Sequence, residues 1–302
     1  MNQERGSFKC GFVALVGRPN VGKSTLLNAL VGKKIAIISP RPQTTRNIIR
    51  GIVTFKEAQI IFVDTPGIAE LASVKTPLDR YIIEEALASI DGVDLIIFMT
   101  EPSPPSREDK FLLEHLKKVE KPVFLVINKS DKSKEGYIFA LMEEYREIFP
   151  FQKMIPISAK KGTNLSILVG EMINVLPPGK PYYPRDLVTD QPEELILGEI
   201  IREKVFALTR QEVPYSTLVK VEEISERKGR NLTYIRASIY VEESSQRGIL
   251  VGKGGRMIKE IGKLAREEIE KRLGTRVYLE LRVGVKKHWR RKKESLQELG
   301  YS

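Results

Sequence analysis

Short apolar runs separated by polar, glycine- or proline-bearing segments mark the first half of the chain. Phe12-Val13-Ala14-Leu15-Val16, Ile60-Ile61-Phe62-Val63, Pro122-Val123-Phe124-Leu125-Val126-Ile127 and Met154-Ile155-Pro156-Ile157 read as buried strands. Thr25-Leu26-Leu27-Asn28-Ala29-Leu30 reads as the opening turns of a helix. The pattern then changes. Leu176-Pro177-Pro178-Gly179-Lys180-Pro181-Tyr182-Tyr183-Pro184 can continue neither a helix nor a central strand, so it predicts a semi-rigid linker. The expected boundary lies near Lys180, giving domains 1–180 and 181–302. Beyond it, Pro192-Glu193-Glu194 opens an amphipathic run with Leu195, Ile196, Ile200, Val205 and Leu208 apolar. Two β-like runs follow, 216–224 and 232–241, joined by a charged turn at 226–231. Ile258, Ile261, Ala265, Ile269 and Leu273 recur at spacings of three and four, one buried helical stripe, with Lys259, Lys263, Arg266 and Glu267 on the opposite face. A strand at 276–285 comes next. The basic tail Lys286-Lys287-His288-Trp289-Arg290-Arg291-Lys292-Lys293 continues into Leu296-Gln297-Glu298-Leu299 and reads as a last helix.

A length of 302 residues suits two domains, and 41% apolar residues suffice for ordinary cores. Cys10 is the single cysteine, which excludes an intramolecular disulfide and fits a reducing compartment. Neither a signal-peptide pattern nor a membrane-length apolar run is present, so a soluble, cytoplasmic protein is expected, and a monomer. The net charge of +11 is unevenly placed: from Gly252 onward there are 15 Lys and Arg against 7 Asp and Glu. Such a basic segment predicts a polyanionic partner, nucleic acid or an anionic membrane surface.

Chemistry enters at the strand ends. Gly17-Arg18-Pro19-Asn20-Val21-Gly22-Lys23-Ser24 fits G-x-x-x-x-G-K-[ST], flanked by a strand before and a helix (from Thr25) after. Backbone N–H groups there can face phosphate oxygens, Lys23 reaches the β- and γ-phosphates, and the Ser24 hydroxyl ligates magnesium. Asp64-Thr65-Pro66-Gly67 ends the second strand: Asp64 holds magnesium through water and the Gly67 N–H bonds a γ-phosphate. Asn128-Lys129-Ser130-Asp131 follows the third. The Asp131 carboxylate accepts the two N–H donors that guanine, unlike adenine, presents; Asn128 braces the loop and the Lys129 stem covers the base. Ser158-Ala159-Lys160 ends the fourth, with the Ala159 N–H aimed at guanine O6. Each motif alone also reads as a cap or turn; four in order, all at carboxyl ends of strands, make a guanine-nucleotide site. Ser39-Pro40-Arg41-Pro42-Gln43-Thr44-Thr45-Arg46 reads as a mobile loop whose Thr44 or Thr45 completes a magnesium shell. Ile68 stands where Ras-like enzymes carry a water-orienting glutamine, so intrinsic hydrolysis is expected to be slow.

In the second half, Gly252-Lys253-Gly254-Gly255 is an instance of G-x-x-G, weak alone. Here it lies in the order helix, strand, strand, helix, loop, helix, strand, the prokaryotic-type KH arrangement. With Arg256, Lys259, Lys286 and Lys287 around it, it predicts contact with a single-stranded RNA backbone. Trp289 reads as a packing anchor or a base-stacking ring; His115 and His288 lack catalytic or metal-spaced partners.

The motifs G-R-P-N-V-G-K-S, P-Q-T-T-R, D-T-P-G-I, N-K-S-D and S-A-K, followed by V-G-K-G-G, resemble the bacterial Era family of GTPases over nearly the whole chain. The resemblance implies a Ras-like α/β domain with a mostly parallel sheet flanked by helices, then an α+β type II KH domain. It further implies Mg²⁺-dependent GTP hydrolysis to GDP and binding near the 3′ end of small-subunit (16S) ribosomal RNA, in maturation of the 30S subunit. Peripheral association with the inner membrane also follows from it. Among the two threonines it favours Thr45. It places a potassium ion as activator beside Asn20, and so groups Lys23, Thr45, Gly67 and Asn20 as the catalytic residues. Ala69 departs from the histidine many relatives carry, and the tail is more basic than the family's. The rival expectations are a membrane-associated signalling GTPase and an RNA chaperone with a merely structural nucleotide.

Overall fold

The computed structural model describes residues 7–39, 46, 48–67, 76–227, 231–292 and 296. They form two compact units that divide between Asp190 and Gln191, with residues 76–78 grouped with the second.

In the first unit, strand β1 (Lys9–Gly17) shows how sequence dictates placement. Successive side chains of a strand point to opposite faces. Val13 and Leu15 accordingly pack with helices α1 (Lys23–Val31) and α5 (Leu165–Val175), whereas Ala14 and Val16 enter a second core. With both faces covered, the strand reads as an unbroken apolar run. Between these elements come β2 (Ile49–Thr54), β3 (Ala58–Asp64), α2 (Pro77–Asp91), β4 (Leu95–Thr100), α3 (Arg107–Leu116), β5 (Val123–Ile127), α4 (Glu135–Ile148) and β6 (Lys153–Pro156). The six strands lie in the order β2-β3-β1-β4-β5-β6, parallel except for β2, which pairs antiparallel with β3. α2, α3 and α4 supply the second core, from Ala86, Leu112 and Leu113 to Ile138 and Leu141.

The expected boundary at Lys180 moves to Asp190 for a structural reason. Residues 177–190 do not float as a linker; they form a strap along the first unit's sheet. The fully buried Gln59 amide accepts from Tyr183 N–H at 3.0 Å and donates to Tyr183 O at 2.9 Å. Ile52 N–H, on edge strand β2, donates to Val188 O at 2.9 Å, and Thr189 Oγ1 donates to Arg50 O at 2.6 Å. Asp190 closes the strap by accepting from Arg50 and the Tyr183 hydroxyl, each at 3.0 Å.

The second unit runs α6 (Glu193–Leu208), α7 (Val213–Ser216), β7 (Leu218–Arg227), β8 (Leu232–Val241), α8 (Ser244–Val251), α9 (Arg256–Leu273) and β9 (Arg276–Val285). Its sheet has the order β7-β8-β9, with β7/β8 antiparallel and β8/β9 parallel. Ile235, Ala237 and Ile239 of β8 meet Leu197, Ile201 and Val205 of α6 and Ile261, Ala265 and Ile269 of α9. The other face of the sheet carries Tyr234 and Arg236 on β8 and Tyr278, Glu280 and Arg282 on β9. Trp289 is fully buried and donates from Nε1 to Ser216 O at 2.8 Å, so it is a packing anchor and not a base-stacking ring. The expected last helix is not formed over 286–292, where only a single 3-10 turn, Trp289–Arg291, is seen around the Trp289 anchor; its remainder lies, but for Leu296, outside the described residues.

Candidate active site and nucleic-acid interface

Three of the four motif-bearing strands, β1, β3 and β5, are followed at their carboxyl ends by the phosphate loop, by Thr65-Pro66-Gly67 and by Asn128-Lys129-Ser130-Asp131; β6 leads into Ser158. Together they enclose a cleft of ≈ 490 Å³. Pro19, Asn20, Gly22, Lys23, Ser24, Thr25, Gly67, Asn128, Lys129, Asp131, Ser158 and Lys160 line it. Ser39, the first residue of the expected mobile loop, lines it too, as do Ile37, Ile38 and Lys132, which escaped the sequence reading. Their signal was an apolar pair standing directly before a polar loop, and a second lysine beside Asp131. Thr44, Thr45, Ile68 and Ala69 lie outside the described residues.

Glycine is required at position 22. Its φ is +102°, and a Cβ there would sit 2.2 Å from Asn128 Nδ2. Asn128 therefore approaches the loop closely enough to donate to Val21 O at 2.8 Å, while its Oδ1 accepts from Ala159 N–H at 2.9 Å. One amide thus pins the phosphate loop, the N-K-x-D loop and the S-A-K loop together. The Ala159 N–H, expected to face guanine O6, is here the partner of the Asn128 amide. The Arg18 guanidinium turns to the start of α3, donating to Asp109 at 3.0 Å and Ser103 at 3.1 Å. Gly17, Val21, Thr65 and Pro66 are buried behind the cleft wall, with the Thr65 hydroxyl donating to Leu15 O at 2.8 Å.

The electrostatics concentrate on two buried charges. Lys23 Nζ donates to Gly17 O at 2.9 Å and Arg18 O at 3.0 Å, which curls the loop around the ammonium. Burial pulls its pKa down to about 8, with the Asp64 charge opposing. Asp64 accepts the Ser24 hydroxyl at 2.7 Å, while its Oδ1 is buried with no hydrogen-bond partner among the described residues. Burial pushes Asp64 up to about 6, against the lowering effects of Lys23 and Ser24. An orphaned carboxylate oxygen beside a serine hydroxyl is a donor set that a hard, oxygen-seeking divalent cation satisfies. The residues fit magnesium.

At the opposite end, Asp131 accepts from the Ser158 hydroxyl at 2.7 Å, the main cause holding its pKa below the usual carboxylate value. It stays an acceptor for paired N–H donors. Lys129, at φ +60°, is pinned by an ion pair with Glu101 at 2.5 Å, so its stem is held along the cleft.

In the second unit, the turn between α8 and α9 is Gly252-Lys253-Gly254-Gly255. At Gly252 φ is +69° and a Cβ would stand 2.8 Å from Met257 Cβ, so a side chain is excluded. Lys253, Gly254, Arg256 and Lys259 are exposed; Gly255 and Lys286 are half-buried and Lys287 is exposed. Beside the turn, α9 and β9 bound a groove of ≈ 440 Å³, with Ile258, Lys259, Gly262, Lys263 and Arg266 on the helix and Val277, Tyr278, Leu279 and Leu281 on the strand. The strand wall was not foreseen, because an edge strand's half-exposed leucines look like ordinary core positions in sequence.

A parallel sheet with a phosphate loop and a carboxylate set for guanine, joined to a KH unit, defines a P-loop GTPase carrying a KH domain. Residues 12–129 match the family model described as a 50S ribosome-binding GTPase, and residues 212–290 that of a KH domain. GTPase Era of Halothermothrix orenii is 50% identical over 98% of this chain and 99% of its own length. That of Geobacter metallireducens is 47% identical over 98% of each. Among solved structures, Era in complex with MgGDPNP and nucleotides 1506–1542 of 16S ribosomal RNA superposes with a TM-score of 0.93, at 43% identity over 98% of this chain and 99% of that one. An Aquifex aeolicus Era variant bound to GDP and AlF4⁻ gives 0.93 and 43% over 98% and 100%. The chain belongs to the Era family of GTPases.

Proposed function

We propose that this GTPase is a switch that binds small-subunit ribosomal RNA near its 3′ end through the KH groove and serves maturation of the 30S subunit. The observation that carries the reading is the Era complex holding MgGDPNP and a 16S ribosomal RNA fragment, to which both units of this chain are similar over 98% of its length. Lys23, already directed into the loop by two carbonyls, contacts the β- and γ-phosphates; Gly22 and Thr25 offer backbone N–H donors beside it. Asp131 accepts the guanine N1 and N2 donors, with Lys129 over the base. Ser24, and Asp64 through water, would hold Mg²⁺, which would neutralise charge on the phosphate oxygens. The Gly67 N–H senses the γ-phosphate from the end of β3. Asn20, exposed at the cleft with φ +66°, is the residue beside which potassium would bind. Equal turnover in potassium and sodium buffers would remove that part of the reading. On the KH unit, Lys253, Gly254, Arg256 and Lys259 take the RNA backbone, with Lys286 and Lys287 adding charge.

The test is affinity for a short single-stranded RNA from the 3′ end of small-subunit ribosomal RNA, measured by fluorescence anisotropy. GDP and a nonhydrolysable GTP analogue are compared, with a scrambled RNA as control. Sequence-dependent binding that differs between nucleotides supports the switch. Equal, salt-sensitive binding of both RNAs in both states would reduce the KH unit to a sticky basic surface.

A further inference from the structure

The open face of the second unit's sheet holds a row of flat groups that ends at β9, the strand bounding the nucleic-acid groove. Tyr234 of β8 and Tyr278 of β9 are register partners, so their side chains emerge on the same face. Their rings are stacked, with centroids 5.9 Å apart and planes 15° from parallel. The Arg227 guanidinium carbon lies 5.3 Å from the Tyr234 centroid. The Tyr234 hydroxyl donates to Glu280 at 2.6 Å, which fixes that ring's orientation. Guanidinium, ring and ring therefore follow one another across the strands. The last member stands on the edge strand: among the described residues no further strand pairs with β9.

Tyr278 is 59% exposed. A cross-strand aromatic pair that served sheet stability alone would gain by covering both rings. Here the outer ring keeps most of its surface open, and Tyr278 is among the residues that border the groove between α9 and β9. Lys259, Lys263 and Arg266 line that groove from the helix side, across the edge of β9 from the ring, so an anionic polymer held there passes the edge on which the ring stands. Aromatic rings beside a basic track are how unpaired bases are held irrespective of sequence, because every base has a π-face.

We propose that Tyr278 is a base-stacking platform: one unpaired base of single-stranded RNA lies against its outer ring, continuing the Tyr234–Tyr278 stack beyond the edge of the sheet. The inference rests on reading the groove as an RNA site, and it adds a contact that the glycine turn and the lysines do not supply. Stacking gives affinity with little base preference; the backbone contacts around Gly254 set the path of the strand.

The full-length protein is tested against single-stranded RNA from the small-subunit ribosomal RNA 3′ end, carrying 2-aminopurine at each position in turn. Tyr278→Leu keeps an apolar contact within the sheet and removes the ring; Tyr278→Phe keeps the ring and removes the hydroxyl. Expected are a roughly tenfold loss of affinity in Tyr278→Leu, wild-type affinity within about twofold in Tyr278→Phe, and one 2-aminopurine position quenched by wild type and Tyr278→Phe alone. Wild-type affinity and quenching in Tyr278→Leu would overturn the proposal, as would an equal loss in Tyr278→Phe. Lys263→Glu serves as the groove control. If it weakens binding while Tyr278→Leu does not, stacking alone fails; if neither the wild type nor Lys263→Glu shows groove-dependent binding, the RNA reading falls with it.

Discussion

Among single residues, Asn128 does the most joining. Its amide has one donor spent on Val21 O and its acceptor spent on Ala159 N–H, so side-chain chemistry and not shape fixes the geometry of three loops. Asn128→Asp is isosteric but sets a carboxylate oxygen against the buried Val21 carbonyl. A buried acceptor facing an acceptor costs about 1–3 kcal/mol. The expected outcome is a thermal midpoint lower by several degrees together with weakened GDP affinity, read by calorimetry and nucleotide titration. Asp64 supports a second expectation: with its Oδ1 open, affinity for a GTP analogue falls when EDTA strips divalent cations, and Asp64→Ala narrows that dependence on magnesium while Ser24 keeps part of it. The residue types at these sites were legible from motifs. The atom-level packing was not, because a spacing in sequence does not show that the Asn128 amide bridges Val21 and Ala159. Nor does it show that Arg18 turns away toward Asp109.

At the scale of elements, periodicity carried far. The runs expected at 232–241 and 276–285 coincide with β8 and β9, because alternating burial and flanking turn residues mark both ends. β2 and β4 carry no nucleotide motif, and only pairing with β3 and with β1 and β5 gives them a place. The α8–α9 turn yields a direct test. Gly254 is exposed at φ +61°, with open space where a Cβ would stand, so Gly254→Asp adds negative charge at modest backbone cost. RNA affinity should fall at least about tenfold while GTP turnover without RNA stays within about twofold of wild type, the two assays being run on one preparation. Unchanged RNA affinity would argue against the groove.

For the whole chain, two-domain organisation was legible from the proline-rich stretch, but the ownership of that stretch was not. Prolines signal the end of regular structure; they do not say which neighbour the segment lies on. Gln59, a polar residue inside an apolar strand, was the one hint, and it explains itself only once Tyr183 is seen bonded to it. A fragment ending at Lys180 would remove both bonds between the buried Gln59 amide and Tyr183 and uncover the Ile52 N–H on an edge strand, a template for pairing with other copies. Such a fragment is expected to aggregate and to melt at lower temperature than one ending at Asp190, as light scattering and thermal denaturation would show. The strap thus has a meaning for how chains of this kind can be rearranged. Domain exchange between relatives succeeds only when the seam respects ownership, so any recombinant that keeps this nucleotide unit must inherit residues 181–190 with it and graft its new partner from Gln191 onward.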